Sequence, residues 1–272
     1  MYIIFGNMCA LFDLSEKPSD FVRRPSVAGS FYPVSKKELS NLIDNLLERA
    51  KTFSLSGTLR ALVCPHAGFV YSGVVAAVAY KQLFSRQNES LKVLILGPSH
   101  FVAFSGAAVS GYLEWETPLG RVRTLEVGFP EFYPAHLDEH SIEVQLPFLQ
   151  KVLKNFTINP IVVGDYEPKS LAIALEPLVD DKTLVIASSD LSHYHSYKKA
   201  VALDSVANKA IPSLDFDSVE GIEACGKIPV IALMYLAKRF SWKGVFLDYK
   251  NSGDTAGDRQ RVVGYGAYAF YE

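Results

Sequence analysis

Three histidines in this chain stand directly behind apolar, β-type runs. His66 follows "LRALVC", His100 ends "LILGPSH", and His193 closes "SSDLSH" after "TLVIAS". A neutral imidazole is a metal ligand, a general base or a proton shuttle near neutral pH. In an open α/β sheet the carboxyl ends of parallel strands form one rim, and ligands bind there. One histidine after one strand is an ordinary loop residue. Three, from separate strand ends, converge on a single rim, and Asp190 adds a carboxylate beside the third. His140, in "DEHSIE", stands before a helical stretch. There the plainer reading is structural, with Asp138 or Ser141 capping the helix and Glu143 compensating its dipole. His136 and His195 lack a comparable setting and are expected at the surface.

Imidazoles grouped in this way serve either a nucleophile or a metal. Ser72, Ser99 and Ser192 lie near histidines, but no "GxSxG" elbow accompanies them, so a hydrolase triad is poorly supported. Cys64 ends a strand beside Pro65 and is expected to point into the core. Cys225, in "EACGKIP", falls at a helix end, with Gly226 read as the residue just past that helix and Pro229 as opening the next. It is either a buried small hydrophobe or a thiolate that reaches the rim. Two imidazoles and one anion make an open metal site. A carboxylate as the anion gives the facial arrangement of non-haem iron enzymes, whereas a thiolate shifts preference toward zinc, iron or copper.

The elements needed to carry these groups are legible from periodicity. "SKKELSNLIDNLLERAKTF" places Leu39, Leu42, Ile43, Leu46 and Leu47 at helical spacing behind Ser35 as N-cap. From residue 59 strands and helices alternate. "LRALVC", "LKVLILG", "FTINPIVVG" and "TLVIASSD" read as buried strands. "GVVAAVAYKQLF", "PKSLAIALEPLV", "SYKKAVALDSVANKAI" and "IPVIALMYLAKRF" read as helices. "GAAVSGYLEWETPLGRVRTLE" reads as a hairpin-like insertion. In "SIEVQLPFLQKVLKNF", Pro147 either kinks a helix or marks its late start. "GVFLDYKNSG" and "RVVGYGAYAFY" close the chain as strands able to pair antiparallel at an edge. The pattern predicts a single α/β domain with a mostly parallel central sheet flanked by helices.

Composition narrows the function classes. The 272 residues are 49% hydrophobic and 21% charged with a formal net charge of −2, an ordinary globular balance that disfavours nucleic-acid binding. No apolar run reaches the ~20 residues of a membrane span. Three scattered cysteines, Cys9, Cys64 and Cys225, argue against a disulfide framework and for a reducing compartment. The apolar head lacks the basic start and cleavage site of a signal peptide. Residues 1–21 are read as an N-terminal extension, residues 22–272 as the domain, and the location as cytoplasmic.

Six segments in order, "RRPSVAGSFYP", "CPHAGFVYSG", "LGPSH", "DEHSIEVQLPFLQ", "SSDLSHY" and "EACGKIPVIALM", resemble the Memo family, which in microbes occurs as the B component of the AmmeMemoRadiSam grouping. The resemblance covers roughly residues 22–272. It implies a fold similar to the LigB-type class III extradiol dioxygenases and a pocket of two histidines and a cysteine. By motif these are His66, His100 and Cys225, holding iron, copper or zinc. Asp190, His193 and His140 follow by the same matching as acid/base groups or groups that orient the ligands. The dioxygenases carry a carboxylate where the family has cysteine, which argues against simple ring cleavage. The animal member is associated with phosphotyrosine-peptide binding and with iron or copper redox chemistry. The expected function is therefore metal-dependent redox or oxygen-related chemistry on an unknown small-molecule or peptide ligand. Its alternatives are a metal-independent binding module and a non-catalytic partner protein within that grouping.

Overall fold

The computed structural model describes residues 21–125 and 127–272, and two short strands ahead of them. Of the expected N-terminal extension, residues 1–21, all but Phe21 and those two strands lies outside the described residues. In chain order the elements are β1 (Ile3–Phe5), β2 (Met8–Ala10), β3 (Val22–Arg23), α1 (Lys36–Arg49), β4 (Leu59–Cys64), α2 (Phe69–Lys81) and β5 (Ser90–Pro98). Then come β6 (Ala107–Ala108), β7 (Glu114–Thr117), β8 (Gly120–Arg123), α3 (Leu146–Val152), β9 (Asn155–Val163), α4 (Pro168–Leu175) and β10 (Thr183–Ser188). β11 (His193–His195), α5 (Tyr197–Ser213), α6 (Phe216–Val219), α7 (Lys227–Arg239), β12 (Lys243–Asn251), α8 (Ser252–Thr255) and β13 (Val262–Tyr271) complete the chain.

An eight-stranded sheet organises the domain in the order β11-β13-β4-β10-β5-β9-β6, with β12 also on β13. β4, β10, β5 and β9 run parallel. Every residue of β4 and β10 is buried, as expected of strands covered on both faces. Their side chains alternate between two cores. Leu62, Leu184 and Ile186 face one cluster, with α1, α2 and α3; Ala61, Val63, Val185 and Ala187 face the other, with α4, α5 and α7.

The sheet is mixed, which corrects the expectation of a mostly parallel one. β13 runs antiparallel to β4, β11 and β12 antiparallel to β13, and β6 antiparallel to β9. β12 and β13 pair antiparallel as expected, yet β13 also docks on β4 and so lies inside the sheet. "RVVGYGAYAFY" was expected at an edge; its burial on both faces reflects its place between β12 and β4, antiparallel to both.

Ser35 caps α1 by accepting from the Glu38 N–H. Pro147 stands in the first turn of α3, so it marks a late start rather than a kink. The insertion forms a second sheet in which β7 pairs antiparallel with β8 and parallel with β3. No helix among the described residues is long and apolar enough to cross a membrane.

Candidate metal centre

β4, β10 and β5 are neighbours in the sheet, so their carboxyl ends open side by side. The chain leaves β4 through Pro65 and His66 and enters α2 behind Gly68, its N-cap. The Asp190 carboxylate, just beyond β10, accepts the His66 backbone N–H at 2.8 Å and ties the two strand ends together. His100 lies just past β5. His140 arrives from the loop before α3. Gly97 permits that approach, because a Cβ there would collide with the Ser141 side chain.

Ligand nitrogens of His66, His100 and His140 all lie within 4.8 Å of one another. The His100 and His140 rings stack at 4.6 Å between centroids, while His66 stands edge-on to His100 at 5.1 Å. Sγ of Cys225 is 3.2 Å from Nε2 of His66. That separation is close to the ~3.5 Å between two donors of one tetrahedral ion with bonds of ~2.0–2.3 Å. The sequence placed His140 among acid/base groups; the structure groups it with His66 and His100, and sets Cys225 against His66. Asp190 and His193 line the same cavity, of about 640 Å³, as the three histidines. Asp190 does not cap the following helix, because it serves the His66 turn.

Carboxylates and burial set the protonation of these groups. Glu139 accepts the His100 backbone N–H at 2.7 Å, the His100 Nδ1 at 2.9 Å and the Ser141 N–H at 2.8 Å. Burial pushes the Glu139 carboxyl up, but the bonds from His100 and Ser141 outweigh it and hold its pKa at about 2. An ionised carboxylate only accepts, so His100 donates from Nδ1, which leaves Nε2 as the nitrogen able to face an ion. Burial, helped by the neighbouring His100, lowers His66 to about 3; burial and His66 lower His140 to about 4. Burial and the Asp190 charge push the Cys225 thiol up to about 12, so it would become a thiolate ligand only where a bound cation displaces its proton, which is released to solvent.

Several expectations change. His136 is not on the surface: it is fully buried, edge-on to Trp115, and its Nε2 meets the Ala108 carbonyl at 2.9 Å. His195 is half-buried and paired with Glu223 at 2.8 Å. Gly226 is the N-cap of α7 rather than a residue past a helix, so Cys225 precedes a helix start. Glu143 does stand in the first turn of a short helix, but its carboxylate is a buried ion-pair partner of Arg23. Glu139, Ser188 and Gln145 went unread. A signal existed for Glu139 alone, since it stands next to His140 in a segment already singled out.

The buried imidazoles of His66 and His136, with the partly buried one of His140, make the metal-free fold acid-sensitive. Each binds a proton less readily folded than unfolded, so as pH falls below about 6.5 the unfolded chain takes up protons first. Their stabilisation is complete above that range and is lost as pH falls toward about 3–4. Three such groups give a slope on the order of 4 kcal/mol per pH unit around pH 5. Urea midpoints of the metal-free protein should fall steeply between about pH 6 and pH 4. A flat profile over that interval would contradict these ionisation states.

Comparison with known proteins follows the same residues. The Memo-like protein family matches residues 23–269. A MEMO1 family protein of Ignicoccus hospitalis is 36% identical, spanning 92% of this chain and 98% of its own length. One from Aquifex aeolicus is 38% identical over 90% of this chain and 97% of its own. One from Thermoplasma acidophilum is 35% identical over 89% and 96%.

Proposed function

The chain belongs to the Memo-like protein family, and from that premise we propose that it holds one transition-metal ion for redox or oxygen-related chemistry. His66, His100 and His140 are the imidazole donors and Cys225 the thiolate. The observation that carries this reading is the approach of three imidazoles, from three separate loops, to within 4.8 Å of one another. Neutral nitrogens with a soft sulfur suit zinc, copper or iron, and the last two supply electron transfer or oxygen activation when bound. The chain's own part is to keep the His66 and His140 nitrogens unprotonated, to orient His100 through Glu139, and to admit a ligand through the adjoining cavity. Asp190 and His193, on its wall, are placed to hold or move a proton on that ligand.

Placement of His66 and His100 behind β4 and β5, parallel strands on either side of β10, supports a LigB-like ancestry for the domain. The donor set argues against catechol ring cleavage. Among the described residues the side chains grouped closely enough to share an ion are imidazoles and no carboxylate, while Glu139 bonds to His100 and Asp190 to the His66 backbone, a set unlike the facial arrangement of non-haem iron. Oxygen uptake by iron(II)-loaded protein with a panel of simple catechols tests this. We expect little or no turnover; stoichiometric ring opening would promote the dioxygenase reading.

One observation favours a second reading, a metal-independent pocket for a small anionic or peptide ligand. Arg261 lies on the cavity wall 5.2 Å from the centroid of Tyr194 and makes no ion pair among the described residues. Phe31, Tyr71 and Tyr265 supply further aromatic surface beside it. Family membership also supports partner proteins of the AmmeMemoRadiSam grouping. The free thiols of Cys64 and Cys225 suit a reducing, cytoplasmic setting.

A further inference from the structure

We propose that a buried chain of hydrogen bonds, Tyr80–Gln145–Ser188–His66, locks His66 as its Nδ1–H tautomer and so makes Nε2 its donor atom. The inference deepens the metal-site reading and takes its functional meaning from it, but it stands on atoms outside the donor set.

Two backbone carbonyls, which only accept, settle the direction of every proton in the chain. The side-chain amide of Gln145 places one end 3.0 Å from the Pro65 carbonyl and 2.7 Å from Oγ of Ser188. That end must be the NH₂ group, since a carbonyl oxygen cannot face the Pro65 oxygen. The amide oxygen then accepts from the Tyr80 hydroxyl at 2.7 Å, which is the role this orientation leaves for it. Gln145 therefore donates to Ser188.

Ser188 has one hydroxyl proton. Its oxygen lies 2.7 Å from the Ser141 carbonyl, and only a donated proton makes that contact attractive. With its proton directed there, Ser188 has only acceptor capacity for its third neighbour, Nδ1 of His66 at 2.9 Å. Nδ1 must carry the hydrogen, and Nε2 keeps the lone pair. The Cys225 thiol at 3.2 Å from Nε2 agrees, being the donor to that lone pair.

Burial makes the lock firm. His66 is 2% exposed, Gln145 1%, and Ser188 and Tyr80 are fully enclosed, so no water competes for these groups. The opposite tautomer would leave the Ser188–Ser141 contact without a proton, an unpaired buried acceptor in a low-dielectric setting. Ser188, Gln145 and Tyr80 are thus positioning residues: they touch no ligand, and they decide which His66 nitrogen is offered.

Nitrogen-15 correlation spectra of the imidazoles in the metal-free full chain at neutral pH read the tautomer directly. We expect His66 with Nδ1 protonated and Nε2 bare. An Nε2-protonated ring, or fast averaging of the two forms, would overturn the proposal. The wild-type spectrum decides even if variants fold poorly. Ser188→Ala should mix the tautomers and weaken zinc(II) binding by about 10–100-fold, the usual cost of losing a partner behind a ligand. Ser188→Thr, which keeps the hydroxyl, should restore both. Unchanged zinc affinity and an unchanged tautomer in Ser188→Ala would sink the idea. If wild-type protein bound no zinc, the metal reading would fail while the tautomer assignment stood. A mixed tautomer in a protein that does bind zinc would end this inference alone.

Discussion

His66→Ala should weaken zinc(II) or copper binding by about 10²–10³-fold while leaving the fold in place. The size follows from sharing ~10–16 kcal/mol of total binding among four donors, about 3 kcal/mol for each. At about 1.4 kcal/mol per factor of ten, that is two or more orders of magnitude. His66 is the choice because it alone touches both parts of the centre, lying in the imidazole group and against Cys225. Its removal leaves Ser188 short of a hydrogen-bond donor, yet β4 and β10 keep their own ladder. Titration with a competing chelator gives the affinity, and circular dichroism checks the fold. A loss below about threefold, in a folded variant, would mean that the imidazoles hold no metal.

The second large effect is on stability. Glu143→Ala should destabilise the protein by about 3–5 kcal/mol, because it strands a buried arginine. The Glu143 carboxylate accepts from Arg23 Nη1 at 2.6 Å, Tyr32 OH at 2.6 Å, the Ser26 N–H at 2.9 Å and the Val27 N–H at 3.0 Å. Burial alone would raise its pKa; Arg23 and Tyr32 reverse that and hold it ionised. Arg23, 1% exposed under Trp115, also donates to the His136 and Glu139 carbonyls at 2.8 and 2.7 Å. The pair therefore anchors the loop that carries Glu139 and His140. A loss of that size is a large part of an ordinary domain stability of ~5–15 kcal/mol. Metal affinity should fall in parallel as the loop loosens. The double variant Arg23→Met, Glu143→Leu should recover much of the stability, since it removes both charges from the interior. A single-variant cost below about 1 kcal/mol in urea unfolding would contradict the anchoring role.

What the sequence made legible, and what it hid, divides along local and long-range physics. His66 and His100 were readable because an apolar run that stops at Pro or Gly before a histidine is a local pattern. So were Ser35 as a cap and the burial of Cys64. The company His140 keeps was not readable, since it depends on Gly97 letting a distant loop close over β5. His136 was expected at the surface because it follows no apolar strand-like run; its ring instead packs edge-on against Trp115 of the insertion. Glu143 shows the same limit. A glutamate in a first turn is ordinary, and only the arrival of Arg23 from β3 makes it a buried ion pair. The antiparallel pairing of β13 with β12 was legible, but its place inside the sheet against β4 was not, because that docking joins segments about 200 residues apart.

The most direct measurement is the metal content of the full chain, as purified and after reconstitution with zinc, copper and iron(II), together with X-ray absorption at the edge of the metal retained. One ion per chain, with imidazole nitrogens and one sulfur among its neighbours, is the predicted result. A chain that retains no ion under either condition, or an ion whose neighbours include no imidazole, would contradict a centre built from His66, His100 and His140.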